Sequence, residues 1–289
     1  MSLPYPAIDP VIFKIGPFSL RWYSLAYIGG LAVGWWYLAR LLKKAALWGK
    51  DGPPVTRRQL DDVIFWVAIG VMAGGRLGYL FFYEPQLILA PWEKLFGVVP
   101  FPPALMTWNG GMSFHGGLIG VTLAGALFAR RHKVNMLSLG DMFACAAPIG
   151  LFFGRIANFI NGELYGRPWD GPWSMVFPAD GLGVPRHPSQ LYEAALEGVA
   201  LFAITFIASR KFGLLKRPGA TTGLFLAGYA CSRILVENFR QPDDIDTLPQ
   251  FPFGLTMGMV LSLPMLALGL WLIWRTFAAK PQKKPQAQS

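Results

Sequence analysis

Seven apolar stretches of about 20 residues each limit what this 289-residue chain can fold into. A helix needs about 20 mostly apolar residues to cross about 30 Å of hydrocarbon, where every backbone polar group must be hydrogen-bonded within the protein. Only 15% of the residues are charged, against about 25% in ordinary soluble domains. The sequence therefore predicts an all-α polytopic membrane protein with seven transmembrane helices, at about 20–41, 61–83, 112–130, 138–160, 190–210, 219–237 and 256–276.

Basic residues are unevenly divided between the two sets of connecting loops. Of the 26 lysines and arginines, 17 fall on one side, whereas most of the acids fall on the other. Cytoplasmic loops carry the excess of lysine and arginine, so we expect the N-terminus outside and the C-terminus in the cytoplasm. The formal charge of +10 then reflects topology and lipid contact, and no nucleic-acid partner is expected. The 17 residues are Arg40, Lys43, Lys44, Lys50, Arg57, Arg58, Arg130, Arg131, Lys133, Arg210, Lys211, Lys216, Arg217, Arg275, Lys280, Lys283 and Lys284.

The segments between the spans differ in kind. The connection 84–111 is long, aromatic and proline-rich, which suits an arm lying in the membrane interface. Residues 161–189 are predicted to form a small extracytoplasmic head, and Ser189 is a candidate N-cap for the fifth span. We expect a single membrane domain over 1–280 and a disordered cytoplasmic tail at 281–289, with no cleaved signal peptide. The aromatic residues of the arm expected at headgroup level are Trp92, Phe96 and Trp108.

Polar side chains gather at one depth, in the outer halves of six predicted spans. An arginine at the centre of a span costs about 2.5–3.5 kcal/mol on insertion scales, so such residues require a reason. Arginine pairs with carboxylates and binds phosphate through two parallel hydrogen bonds, so the cluster predicts carboxylate partners and an anionic ligand such as a phospholipid. The residues are Tyr23, Arg76, Tyr79, Tyr83, His115, Arg155, Asn158, Glu193, Glu197, Tyr229, Arg233 and Glu237.

Each of these residues also has a simpler structural interpretation. An arginine–glutamate pair can merely hold two helices together, and Arg76 can extend to the interface. Tyr23 and Tyr83 can belong to an aromatic belt. His115 lies in "NGGMSFHGGLIG", whose glycines either open the backbone to a ligand or let two helices pack closely. These alternatives remain open at the level of sequence.

Other chemistries find little support in the sequence. The three histidines show no helical pairing at a spacing of four, and Cys145 and Cys231 lie in apolar runs without metal-ligand spacing. No Gly-x-Ser-x-Gly elbow or phosphate-binding loop is present. We therefore expect no metal site, no disulfide and no soluble cofactor.

Four motifs, in this order across the seven spans, resemble those of the prolipoprotein diacylglyceryl transferase family. They read "NGGMSFHGGLIG", "GRIANFINGELYGR", "RHPSQLYE" and "RILVENFRQPD". The resemblance runs from about Asp9 to about Pro264, and one departure is Asn109, where some members carry aspartate.

The resemblance implies a multi-pass enzyme of the cell inner membrane with its active site toward the periplasm. It would transfer the sn-1,2-diacylglyceryl group of phosphatidylglycerol to the lipobox cysteine thiol of preprolipoprotein signal peptides. A thioether would form and glycerol 1-phosphate would be released, as the first step of bacterial lipoprotein maturation. The partners would be these two substrates and the bilayer.

The resemblance also implies roles for individual residues, because each falls on a family motif or lies in the polar cluster. The expected catalytic residues are His115, Arg155, Arg233 and Tyr23. The expected phosphatidylglycerol-binding residues are Arg155, Arg233, Asn158, Glu163, Gly166, Arg76, Tyr83, Glu193, Tyr229, Glu237 and Arg240.

The reaction needs help at two points. The attacking thiol, with an ordinary pKa of about 8.5, must become a thiolate. The leaving phosphate gains charge, which fixed arginines stabilise. His115 is a candidate base because imidazole titrates near neutral pH. In the competing interpretation the arginines alone lower the pKa of the thiol and His115 is structural.

Two functions of another class remain as alternatives, namely an anionic-lipid transporter or flippase and a non-catalytic lipid-binding scaffold. A transporter needs a polar route to both membrane faces. The polar residues stop at mid-membrane and no repeated halves are visible, so the sequence favours the transferase.

Overall fold

The computed structural model describes residues 2–6, 8–15, 18–95, 98–107, 110–242, 251 and 254–278. Within these ranges the chain is mostly helical, with three short two-stranded antiparallel sheets. The long helices are α1 (Trp22–Leu42), α2 (Arg57–Phe82), α3 (Phe114–His132), α4 (Met136–Ile160), α5 (Ser189–Lys211), α6 (Ala220–Glu237) and α7 (Met257–Ala278). The strands pair as β1 (Val11–Ile15) with β2 (Phe18–Arg21), β3 (Glu93–Leu95) with β4 (Val99–Phe101), and β5 (Met175–Val176) with β6 (Pro185–Arg186).

Five of these helices are long and apolar enough to cross a membrane, counted within the described residues: α1, α2, α4, α5 and α7. The other two are the shortest of the seven long helices, at 19 and 18 residues, so the charged residues at their ends count fully against their hydropathy. Helix α3 ends with Arg130, Arg131 and His132, and α6 carries Arg233 and Glu237 near its C-terminal end. A helical membrane fold is therefore confirmed, whereas the count of seven spans and their orientation stay predictions.

Helix α2 begins earlier than its apolar run because of a local capping motif. The Thr56 hydroxyl accepts a hydrogen bond from the backbone N–H of Gln59 (3.3 Å), and the Gln59 side chain accepts one from the backbone N–H of Thr56 (2.9 Å). This capping box pairs two backbone donors that a helix start leaves without partners. The helix therefore starts at Arg57, before the expected position 61.

Ser189 was the predicted N-cap of the fifth span, and this prediction is wrong. Helix α5 begins at Ser189 itself, and Pro188 occupies the cap position. The Ser189 hydroxyl instead donates a hydrogen bond to the carbonyl of Leu164 (3.0 Å), which ties the helix start to the preceding loop.

The chain divides into two compact units, Met1–Pro53 with Gly140–Ser289 and Pro54–Leu139. In the second unit, α2 and α3 pack through glycines. A Cβ placed on Gly70 would lie 2.6 Å from the carbonyl oxygen of Gly120, and one on Gly78 would lie 2.8 Å from Cα of Gly116. The two backbones are closer than any side chain would allow. Gly116, next to His115, is therefore a helix-packing residue.

The first unit uses the same device between α6 and α7 and between α4 and α5. A Cβ on Gly223 would lie 2.7 Å from the carbonyl oxygen of Gly269, and one on Gly198 would lie 2.7 Å from Cβ of Phe152. Gly198 belongs to a π-helical segment, Ala194–Ala200, in the middle of α5. Such segments are rare in proteins as a whole, and those that occur are often found at functional sites.

The residues between α4 and α5 fold into a small head around β5 and β6, with one short 3-10 helix at Pro178–Asp180. Arg186 lies at its centre and is buried. Its guanidinium contacts the Asp180 carboxylate (2.6 Å), the Gly166 carbonyl (3.3 Å) and the Gln241 side chain (3.3 Å). The head is therefore a packed element, and its extracytoplasmic location stays a prediction.

The connection 84–111 contains the hairpin β3–β4, and the Trp92 side chain is 66% exposed. Its placement in a membrane interface stays a prediction, as does the single domain over 1–280. Several residues named from the sequence lie outside the described residues: Phe96, Trp108, Asn109 and the tail 281–289.

Candidate active site

Two arginines and three glutamates meet in one cluster of the first unit. Arg155 comes from α4, Glu193 and Glu197 come from α5, and Arg233 and Glu237 come from α6. The carboxylate side chains are at most 4% exposed, whereas those of Arg155 and Arg233 are 17% and 14% exposed. An anion that reaches this cluster from outside therefore meets the guanidinium groups before the carboxylates.

The carboxylates of α5 orient the Arg155 guanidinium. Its Nε and Nη2 donate to Glu197 Oε2 at 3.0 and 2.9 Å, and Nη1 lies 3.3 Å from Glu193 Oε2. A guanidinium has five N–H groups, so Nη1 and Nη2 each retain a second N–H beyond these contacts. Arg155 is thus held in place while keeping donors for an anionic ligand.

Glu193 joins the two arginines. Its Oε2 faces Arg155, and its Oε1 lies 3.2 Å from Nη1 of Arg233. The same nitrogen of Arg233 lies 2.8 Å from Glu237 Oε2, one helical turn along α6. The sequence predicted both carboxylate partners and an anionic ligand, and here the protein's own Glu193 supplies the negative charge between the arginines.

The sequence places Glu197 at the same depth as the cluster, but the predicted site residues do not include it. The signal was its spacing of four from Glu193, which places two acids on one helix face. Its place in the π-helical segment of α5 has no such signal, because neither charge nor apolar periodicity marks that segment.

Three further predicted residues belong to this part of the first unit. Asn158, three residues after Arg155 on α4, is buried, and its Oδ1 has no hydrogen-bond partner within the described part of the chain. Tyr229 interacts electrostatically with both arginines of the cluster. Tyr23 does so with Arg155 and Glu163, and its hydroxyl lies 3.4 Å from that of Tyr27. The structure therefore brings these predicted residues together.

Gly166 and Arg240 connect the head to the end of α6. They form an isolated β-bridge, and the Gly166 N–H donates to the carbonyl of His187 (2.9 Å). A Cβ on Gly166 would lie 2.5 Å from the carbonyl oxygen of Phe239 and 2.7 Å from that of His187. Three chain segments therefore meet at Gly166, where only glycine fits. Glu163, also predicted to bind phosphatidylglycerol, lies in the same loop and is exposed.

Arg76 belongs to the second unit and is bound differently. Its side chain is buried and contacts backbone oxygens of the connection that follows. Nε donates to Ala104 (2.7 Å), Nη1 to Gly110 (2.8 Å) and Gly111 (3.0 Å), and Nη2 to Pro103 (2.8 Å). Four of five N–H groups are therefore used to hold the loop.

Tyr83 and His115 also belong to the second unit. Tyr83 caps the C-terminus of α2, is 62% exposed and stacks on Tyr79 with ring centroids 5.8 Å apart. His115 is the second residue of α3 and is exposed, after an N-cap in which Ser113 Oγ accepts from the N–H of Gly116 (3.3 Å).

Comparison with known proteins identifies relatives over nearly the whole chain. The family model described as "Prolipoprotein diacylglyceryl transferase" matches residues 10–275. Curated proteins named phosphatidylglycerol–prolipoprotein diacylglyceryl transferase are identical to this chain at about half of the aligned positions. The protein from Allorhizobium ampelinum is 52% identical over 284 residues, covering 98% of this chain and 95% of its own. That from Phenylobacterium zucineum is 52% identical over 283 residues, covering 94% of each chain, and that from Caulobacter sp. is 47% identical over 304 residues, covering 98% of each.

Proposed function

The chain belongs to the prolipoprotein diacylglyceryl transferase family, and from this premise we propose how its residues carry out the reaction. The reaction is the transfer of the diacylglyceryl group of phosphatidylglycerol to a prolipoprotein. In our proposal the acceptor is the thiol of a lipobox cysteine, the product is a thioether and the leaving group is glycerol 1-phosphate.

Arg155 and Arg233 bind the phosphate of phosphatidylglycerol. The observation that carries this assignment is that both guanidinium groups are partly exposed while buried Glu193 bridges them. Two fixed guanidinium groups match the oxygens of a phosphate, and they need no rearrangement as charge develops on the leaving oxygen. Removing one such donor costs about 10²- to 10³-fold in rate in other enzymes.

The bond changes balance as a displacement at carbon. The thiolate sulfur forms a bond to the glyceryl carbon, and the bond from that carbon to the phosphate oxygen breaks with its electron pair moving onto the phosphate. The thiol proton goes to a base, for which His115 is our candidate because imidazole can accept a proton near neutral pH. Tyr23 and Tyr229 flank the phosphate site in this proposal.

Asn158 binds the glycerol headgroup of the donor lipid. Its buried Oδ1 has no partner among the described residues, and a buried acceptor without a hydrogen bond costs about 1–3 kcal/mol. A hydroxyl of the headgroup would supply the missing donor.

The other predicted binding residues support the site in this proposal. Glu193 and Glu237 orient the arginines, and Gly166 and Arg240 hold the head against α6. Arg76 fixes the loop before α3 because its N–H groups already have backbone partners. Direct lipid contacts by Arg76, Tyr83 and Glu163 remain predictions from the motifs.

We also propose the topology. All seven helices cross the inner membrane, with the N-terminus and the head in the periplasm and the basic loops in the cytoplasm. The test introduces one cysteine, either at Leu182, which is 72% exposed in the head, or at Arg131, which is exposed at the end of α3. In both variants the exposed Cys231 is replaced by serine, and Cys145 is kept because it is buried. An impermeant maleimide added to intact spheroplasts should label only position 182, and labelling of position 131 instead would reverse the orientation.

The function is tested by mass spectrometry of a lipobox peptide with one cysteine, mixed with the purified full chain and phosphatidylglycerol. We expect a diacylglyceryl-sized mass gain on the cysteine together with released glycerol phosphate. Arg155→Gln should abolish the gain and Arg130→Gln, outside the cluster, should not. A gain undiminished in Arg155→Gln would overturn the phosphate role. The role of His115 is tested by the pH dependence of the transfer rate in His115→Gln. If the rate of this variant no longer rises with pH near neutrality, His115 is supported as the base, and a pH profile unchanged from the wild type refutes that role.

A further inference from the structure

A second group of cations surrounds a cavity of about 350 Å³ between the C-terminal end of α5 and the start of α6. It lies in the first unit and shares no residue with the arginine–glutamate cluster. Its lining residues are Ala46, Leu47, Ser209, Arg210, Lys211, Phe212, Gly213, Lys216 and Arg217. Four of these nine side chains are positively charged and none is acidic.

These cations differ from three other arginines of the first unit. Arg155, Arg186 and Arg233 each pair with a carboxylate. Within the part of the chain that the structure describes, no ion pair includes any of the four cations around the cavity. Four like charges around one cavity repel one another, and the repulsion falls when an anion enters.

The structure holds the two arginines of the cavity in place. Arg210 Nη1 donates to the Tyr37 hydroxyl (3.1 Å), and its guanidinium carbon lies 3.5 Å from the ring centroid of Phe206. The guanidinium carbon of Arg217 lies 4.3 Å from the ring centroid of Phe277. Nε and Nη2 of Arg210 make no hydrogen bond among the described residues, so this edge of the group has donors for an anion. Such fixed donors lose little side-chain entropy when they bind a ligand.

The cavity also has an apolar side. Phe212 lines the cavity and is 67% exposed. An apolar ring in this position would contribute nothing to the binding of a free ion. Phe212 directly follows α5, and Ile207 and Ile204, five and eight residues before it on that helix, are also exposed. The end of α5 therefore carries charged donors, and the turns before it carry exposed apolar side chains. A lipid has a charged headgroup followed by apolar acyl chains, which is the same order.

We propose that this cavity binds the phosphate headgroup of an anionic phospholipid, at a site separate from the donor lipid of the transfer reaction. Arg210 and Arg217 contact the phosphate, Lys211 and Lys216 neutralise it, and Phe212 with the isoleucines of α5 contacts an acyl chain. The site lies on the side whose loops carry the basic excess, so its lipid comes from the leaflet that we propose as cytoplasmic.

The test is native mass spectrometry of the full chain released from micelles doped with dioleoyl phosphatidic acid. The variant Lys211→Gln/Lys216→Gln removes two exposed cations of the cavity and leaves both packed arginines in place. The matched control Arg130→Gln/Arg131→Gln removes two exposed cations outside the cavity. Basic residues near an anionic membrane surface each contribute about 1 kcal/mol, so the cavity variant should bind one lipid at least about tenfold more weakly. The control should bind as the wild type does.

Three results would overturn the proposal. Equal weakening in both double variants would mean that lipid follows overall charge rather than this cavity. Undiminished binding in the cavity variant would place the lipid elsewhere. Displacement of the lipid by inorganic phosphate as readily as by phosphatidic acid would indicate a free-anion site. Thermal unfolding of both variants establishes that they are folded, and none of these results depends on the transferase assay.

Discussion

Arg155 in the first unit and Arg76 in the second are both arginines within apolar helices, yet they use their N–H groups differently. Arg155 contacts two carboxylates and retains unused N–H groups on a side chain that is 17% exposed. Arg76 donates to four backbone carbonyls and is 7% exposed. Depth in the predicted membrane therefore does not distinguish the arginine that we propose binds phosphate from the one that holds a loop, whereas the number of N–H groups left without a partner does.

The largest effect should come from Arg155→Lys. Lysine keeps the positive charge beside Glu193 and Glu197 but loses the planar pair of N–H groups that matches phosphate. We expect kcat/KM for diacylglyceryl transfer to fall by about 10²- to 10³-fold, while the thermal unfolding midpoint in detergent changes little. Peptide mass spectrometry and a thermal scan on the same preparation check both parts. Wild-type activity in this variant would show that Arg155, like Arg76, is structural.

The two acids of α5 should contribute unequally to activity. Glu193 contacts both arginines of the cluster, whereas the hydrogen bonds of Glu197 go to Arg155. Glu193→Gln should therefore lower kcat/KM about tenfold more than Glu197→Gln does. A tenfold change corresponds to the free energy of about one charge-assisted contact. Glu93→Gln, an exposed acid on β3, is the matched control. Equal losses in the two α5 variants would rule out a special role for the bridge.

For Arg76 the expected loss is in stability. Arg76→Lys replaces a planar donor group that reaches four carbonyls by an ammonium with three N–H donors, so at least one carbonyl loses its partner and the others lose the matched geometry. The free energy of unfolding should fall by about 3 kcal/mol, with a smaller loss of kcat/KM than in Arg155→Lys. Arg58→Lys, exposed on the same helix, is the control. An Arg76→Lys enzyme that is fully stable but inactive would restore a direct lipid role.

The smallest effect is expected between alanine substitutions at two neighbouring glycines, which lie in the loop that Arg76 holds. Both have left-handed backbones, Gly110 with φ 89° and Gly111 with φ 78°, so alanine strains either by about 1–2 kcal/mol. At Gly111 the added Cβ would also lie 2.6 Å from the Tyr79 ring and 2.7 Å from Arg76 Nη1, whereas at Gly110 it meets nothing within 4 Å. Gly111→Ala should therefore be about 1 kcal/mol less stable than Gly110→Ala in chemical unfolding. Identical stabilities would mean that the loop moves freely around Arg76.

Much of this comparison was visible in the sequence, and part of it was not. The depth of the polar residues along the apolar runs picked out both arginines, and the motif order identified the family. The same pattern placed Arg76 and Arg155 in one list of binding residues. Their difference depends on contacts with residues 27 to 42 positions away, which no local pattern reports.

The sequence by itself determined the helical membrane fold, because apolar runs of this length leave the backbone no way to pair its polar groups in lipid other than as helices. The start of α2 is also set locally, by the capping box of Thr56 and Gln59, although the apolar run alone predicted position 61. The tertiary structure alone decided that Glu193 bridges Arg155 and Arg233, that Glu197 lies in a π-helical segment and that Arg76 binds carbonyls. The arginine contacts join segments that are far apart in the chain, so they form only once the helices and loops have packed.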